Sequence, residues 1–87
     1  MNVNVPTLAA AALVAAHRYV TLREAVEDAR ERLAALVVDG DITPDDVVAF
    51  QTLKRDMVAA AQRAGDAHDA LPVGSPARDA YLRVVRS

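Results

Sequence analysis

The chain has 87 residues, of which 12 are acidic and 10 basic, with a formal net charge of −2 and no cysteine. This length allows one small domain, and the lack of cysteine excludes disulfides and thiolate metal ligands. The small net charge gives no overall attraction to nucleic acid or to an anionic membrane. Because a domain of this size buries only about 60–65% of the surface of its unfolded chain, we expect it to gain stability by associating with another chain.

The N-terminal third contains an unbroken apolar run of nine residues, from Leu8 to Ala16. A membrane-spanning helix needs about 20 such residues, and His17 and Arg18 end the run. Residues 1–7 also lack the basic start of a signal peptide. We therefore interpret the run as the buried face of a helix, and we expect a cytoplasmic protein with no membrane partner. Lys54 is the only lysine among the ten basic residues, an arginine bias that we interpret as GC-rich coding in a bacterium or phage.

The first predicted helix covers residues 8–38, after an extended lead at 1–6 and an N-cap at Thr7. An internal capping-box spacing from Thr21 to Glu24 allows a break near Val20. We nevertheless predict one continuous helix, because its apolar residues keep a heptad phase throughout. These residues are Leu8, Ala12, Ala15, Tyr19, Leu22, Val26, Ala29, Leu33 and Leu36.

Residues 39–43 are predicted to form the loop of a helical hairpin. Gly40 stands where a helix C-cap favours positive φ, Thr43 can cap a second helix, and Pro44 suits its first position. The second helix is predicted over 44–70, with its own heptad. Its apolar residues are Phe50, Leu53, Met57, Ala60, Ala64, Ala67 and Leu71. On the outer face of the first helix, Asp28 and Arg32 have the spacing of an i,i+4 ion pair.

Folding the two heptads against each other pairs large side chains with small ones. In this register the numbers of two facing residues add up to roughly 82, and the side chains fill the seam between the helices without voids. It pairs Leu33 with Phe50, Ala29 with Leu53, Val26 with Met57, Leu22 with Ala60, Tyr19 with Ala64 and Ala15 with Ala67. Residues 71–75 then form a linker, and Ser75 with Pro76 begins a short third helix over 76–86.

A second apolar stripe lies beside the seam, and the third helix is too short to cover it. At 1.5 Å per residue the third helix spans about 16 Å, against about 48 Å for the first. An exposed stripe of this length is typical of a partner surface. We therefore predict an all-α hairpin with a short third helix that dimerises as a four-helix bundle. The residues assigned to the interface between the two copies are Leu13, Val20, Val47 and Val58.

Candidate catalytic and metal-binding groups are sparse, so we predict no enzyme activity, cofactor or metal. The two histidines, His17 and His68, do not share one face of a helix, as zinc ligands would need to. The tip, residues 39–46, resembles the second half of an EF-hand loop. In that register the first ligand positions fall on Ala35 and Val37, which cannot coordinate calcium.

The remaining chemistry favours a non-catalytic protein–protein interaction module, such as a small adaptor, assembly factor or inhibitor. Two charged clusters are candidates for recognition: an acidic tip, formed by Asp39, Asp41, Asp45 and Asp46, and a basic tail, formed by Arg78, Arg83 and Arg86. A nucleic-acid-binding regulator that uses the tail arginines is an alternative. A second alternative is an acidic mimic of nucleic acid that blocks a basic site.

Overall fold

The computed structural model describes residues 4–87 and shows three helices in that range, with no strand. They are α1 (Val5–Asp39), α2 (Pro44–Asp69) and α3 (Pro76–Arg86). Helices α1 and α2 pack against each other as an antiparallel hairpin, and α3 packs on α1. The predicted all-α hairpin with a short third helix is therefore confirmed.

Helix α1 begins earlier than predicted and is unbroken. Its N-cap is Asn4 and Pro6 lies in the first turn, so Val5 and Pro6 of the predicted extended lead are helical and Thr7 is not the cap. Proline fits there because an N–H in the first turn has no intrahelical acceptor to lose. Residues 1–3 of the predicted lead lie outside the described residues. The helix also runs through Val20 without the break that the Thr21 spacing allowed.

The hairpin loop closes with two complementary caps. Gly40 has a φ of 75°, and its N–H donates to the carbonyl of Val37, while the N–H of Asp41 donates to Leu36. This pair of bonds is the Schellman arrangement, and it needs a residue that tolerates positive φ. On the other side, the Thr43 hydroxyl accepts from the N–H of Asp46, whose carboxylate accepts from the N–H of Thr43 at 2.9 Å. The loop is thus short and fixed at both ends.

The best-buried part of the chain lies at the end of the hairpin away from this loop. There Ala12, Ala16 and Ala64 are almost completely buried, and Leu71 and Tyr81 complete the cluster. Small alanine side chains let the helix backbones approach closely, and α3 places its one buried side chain, Tyr81, against them. Three helices enclose this core, so it has the second layer that a stable domain needs.

The loop end of the hairpin has no such second layer. Between residues 27 and 59 no side chain is buried, although Leu33, Leu36, Phe50 and Leu53 are half-buried. The chain measures 55 × 25 × 14 Å, and its Cα radius of gyration is 16.7 Å, against about 12 Å for a compact domain of this length. The hairpin therefore extends well beyond its own core as a slab one helix thick.

Helix α1 also meets the length and composition of a membrane-spanning helix, with a mean hydropathy of 1.3 over its most apolar 18 residues. Core helices of soluble proteins and N-terminal signal sequences meet the same requirement. In this fold, part of the apolar surface of α1 is covered by α2 and α3.

Candidate functional site

An open apolar groove runs between α1 and α2 near the hairpin loop. It encloses about 380 Å³ and is formed by half-buried side chains of the seam together with more exposed neighbours. Its lining consists of Ala29, Arg32, Leu33 and Leu36 from α1 and Asp46, Ala49, Phe50 and Leu53 from α2. Two of the predicted facing pairs, Leu33 with Phe50 and Ala29 with Leu53, are part of this lining. The heptad thus continues to the loop, and among residues 4–87 no third helix packs over this part of the seam.

The groove and α3 lie on opposite faces of the hairpin. Arg23 marks the α3 face, because its guanidinium donates to carbonyls at the C-terminal end of α3. Arg32 marks the groove face, since it lines the groove. Nine residues separate the two arginines, which is about two and a half turns of α-helix, so they project from opposite sides of α1. The chain therefore cannot close the groove with its own α3.

Charged side chains of both signs border the groove. Arg32 stands on the α1 side and Asp46 on the α2 side, and the ammonium of Lys54 lies 5.6 Å from the centre of the Phe50 ring. The predicted ion pair between Asp28 and Arg32 is not formed, because the only ion pair within 4.0 Å in residues 4–87 joins His68 to Asp69. Both side chains are exposed, where a surface ion pair contributes at most about 1 kcal/mol.

The acidic tip adjoins the loop end of the groove. Asp39, Asp41 and Asp45 are exposed there. Asp46 is different, because its carboxylate is engaged by the backbone and hydroxyl of Thr43, each at 2.9 Å. Three of the four predicted tip residues are thus available to a partner, and the fourth holds the start of α2.

The basic tail is less available than predicted and is far from the tip. The guanidinium of Arg78 donates twice to the carbonyl of Leu71, at 3.1 and 2.9 Å, which fixes the segment between α2 and α3. Arg83 and Arg86 are exposed in the last turn of α3. That turn lies beside Arg23, about 24 Å along α1 from Asp39 at 1.5 Å per residue. The structure therefore keeps the two predicted recognition clusters apart.

The residues predicted for the oligomer interface do not share one environment. Val20 is only 9% exposed within the single chain, so it offers almost no surface to a second copy. Leu13 is half-buried. Val47 and Val58 are 38% and 50% exposed on α2. Part of the predicted second stripe thus belongs to the core of the chain itself.

The two histidines have different surroundings. His17 is exposed, while the His68 ring lies 4.8 Å from the Tyr81 ring and its Nδ1 is 3.2 Å from Asp69. Burial, and to a lesser extent Tyr19 and Asp69, raise the pKa of Tyr81 above its ordinary value. Ser75 precedes α3 as predicted but makes no side-chain cap. Among residues 4–87 no group of three or more histidine or acidic side chains is placed to hold a metal ion.

Sequence reasoning missed the groove as a site, although it had named every residue of the lining except Ala49. The heptad placed Leu36 and Leu53 in the seam between the helices. It could not show that no third helix would pack over the seam near the loop. The role of Arg23 had no local signal, because it depends on where α3 ends in space. The bond from the N–H of Thr43 to the carboxylate of Asp46 could have been inferred, since a carboxylate three residues after an N-cap threonine suits a capping box.

A function for this chain has to be inferred from its own residues. It matches no protein-family model, and comparisons with curated proteins and with solved structures return no match.

Proposed function

We propose that this chain is a non-catalytic protein–protein interaction module that binds a helical surface in the groove. The proposal is carried by one observation: an apolar groove lined by leucine and phenylalanine lies open on an elongated chain. Exposed apolar surface near a polar rim is typical of a binding site for another protein. An adaptor, assembly factor or inhibitor of bacterial or phage origin would fit this description.

The charge around the groove favours a partner with basic residues at the ends of its apolar surface. Asp39, Asp41 and Asp45 project freely where the groove meets the loop. Opposite charges placed around an apolar centre accelerate association and select the partner. The tail is a weaker candidate for recognition, because Arg78 is already bonded to Leu71.

Replacing Phe50 by glutamate is expected to reduce protein capture by at least about tenfold. The substitution places a carboxylate in the centre of the apolar lining, and central aromatic residues often contribute about 2 kcal/mol or more to binding. The measurement is affinity capture from an extract of the source cells, with retained proteins quantified by mass spectrometry. Val48→Glu is the matched control, because Val48 is on the same helix, is 60% exposed and lies outside the groove.

Circular dichroism of each variant must show unchanged helicity, so that a loss of capture reflects lost binding and not unfolding. Equal capture by Phe50→Glu and Val48→Glu would exclude the groove as the binding surface.

Reversing Asp39, Asp41 and Asp45 to lysine, with Asp46 retained, is expected to weaken the same capture. Asp46 is spared because loss of its bonds to Thr43 would uncap α2, at a cost of about 1 kcal/mol. The triple variant keeps this cap, but Asp45 lies in the first turn of α2, where the helix dipole favours an acidic residue. Unchanged helicity by circular dichroism is therefore measured alongside capture. Capture that is unchanged at low ionic strength, where exposed charges act most strongly, would remove the acidic tip from the proposal.

A further inference from the structure

We infer that the partner in the groove is a second copy of this chain, docked face to face with its hairpin antiparallel to the first. This inference rests on the proposed function and specifies its partner. In this arrangement α1 packs on α1 of the second copy and α2 on α2, which gives four antiparallel helices. Each α3 stays on an outer face, because it lies on the side of the hairpin away from the groove.

The exposed area is the first argument for a second copy. The chain exposes 6140 Å², whereas a compact monomer of 9.3 kDa is expected to expose about 5000 Å². The excess of roughly 1100 Å² is spread over the whole elongated chain, and it is larger than the approximately 800 Å² that each partner contributes to a standard interface. A second hairpin on the groove face would supply the layer that α3 supplies on the other face.

The charges of α1 are the second argument, because they complement themselves about a two-fold axis. If the two-fold axis of the dimer crosses α1 at the level of Arg30, a residue of one copy faces a residue of the other when their two numbers add up to about 60. Asp28 of one copy then faces Arg32 of the other, and the reverse, as an isologous interface requires. Neither side chain forms an ion pair within residues 4–87. Arg32 stands on the groove rim, and Asp28 lies one turn before it, next to Arg32 on the outer side of that rim.

The same axis brings the acidic tip of each copy toward basic residues of the other. Arg18 precedes Arg32 by 14 residues and Arg63 follows Ala49 by 14, which is close to four turns, so both arginines project from the groove face. Both are exposed. The antiparallel docking therefore places Asp39 and Asp41 near Arg18 and Arg63 of the second copy, whereas a parallel docking would bring the two acidic tips together.

A charge-swap experiment on Asp28 and Arg32 tests this arrangement. Sedimentation equilibrium of the full chain, from about 1 µM to about 1 mM, covers weak to moderate association. We expect the wild type to sediment as a dimer in the upper part of this range. Each single variant, Asp28→Arg or Arg32→Asp, gives positions 28 and 32 the same charge. Because the dimer is symmetric, two such like-charge pairs form between the copies, and the dissociation constant should rise about tenfold or more. The double variant restores both pairs, and its dissociation constant should return to within about threefold of the wild type.

Both positions are exposed and helical, so the variants should keep their helicity, which circular dichroism checks. Glu31→Arg is the matched control because it adds the same charge to the same exposed stretch of α1 without facing Arg32 in the dimer. A wild type that stays monomeric to about 1 mM overturns the second-copy inference. A double variant as weak as the single ones overturns this docking as well.

These outcomes are separate from those of the proposed function. A monomeric chain whose capture of another protein is lost in Phe50→Glu would show a groove with a different occupant. A dimer that is unaffected by Phe50→Glu would show that the copies associate through another surface.

Discussion

Replacing Tyr81 by alanine is expected to lower the free energy of unfolding by about 3 kcal/mol, the lower end of the range for removal of a buried aromatic ring. Tyr81 is the only buried side chain of α3, and it packs in one cluster with Ala12, Ala16 and Ala64. The alanines cannot expand to fill the space that it would leave. A domain of this size has a total stability of only about 4–13 kcal/mol, so the loss is a large fraction. Urea unfolding followed by circular dichroism measures it.

Tyr81→Phe is the matched control for this prediction. The structure shows no hydrogen bond from the Tyr81 hydroxyl to the described part of the chain, so the phenylalanine variant retains nearly all of the packing. We expect it to lie within about 0.5 kcal/mol of the wild type. An alanine variant that costs less than about 1 kcal/mol would mean that α3 does not pack on the hairpin in solution.

Replacing Arg23 by glutamine is expected to destabilise the chain by about 1.5 kcal/mol. Its guanidinium donates to the carbonyl of Val85 at 2.9 Å and to that of Ser87 at 3.1 Å. Hydrogen bonds from a charged donor contribute about 1.5–3 kcal/mol, and the lower value applies because the second bond is exposed. The arginine also places a positive charge at the C-terminal end of α3, where the helix dipole favours it.

Arg30→Gln provides the control, because Arg30 lies one heptad further along α1 and is exposed. Its replacement should change stability by no more than about 0.5 kcal/mol. If both glutamine variants unfold at the same urea concentration, the bonds from Arg23 to the end of α3 contribute nothing measurable to stability.

Local sequence signals predicted the helices well, because each boundary has a chemical cause within a few residues. Gly40 permits positive φ, Thr43 and Pro44 start α2, and Ser75 and Pro76 precede α3. The one misplaced boundary is the start of α1, where Pro6 was taken to lie outside the helix although a proline is tolerated within the first turn.

Long-range features were not predictable in the same way. The open groove depends on where α3 packs, and the heptad of Leu33 and Phe50 is the same whether a seam is covered or not. Val20 was assigned to an interface between copies because its stripe seemed too wide for one partner helix, yet it is buried within the single chain. The contact between Arg23 and the end of α3 joins residues 62 apart in the sequence, which periodicity cannot detect.

The uneven packing of the hairpin has a consequence for how the chain folds. Leu33 and Phe50 are only 17 residues apart, so the loop end closes at a small entropic cost, but it buries little. Ala16 and Ala64, which form the tight end, are 48 residues apart, and Tyr81 is farther still. The contacts with the smallest entropic cost of closure thus bury the least surface and stabilise the fold least. We therefore expect the folding transition state to include contacts at the distant alanine end, and the chain to fold more slowly than a helical hairpin whose core lies next to its loop.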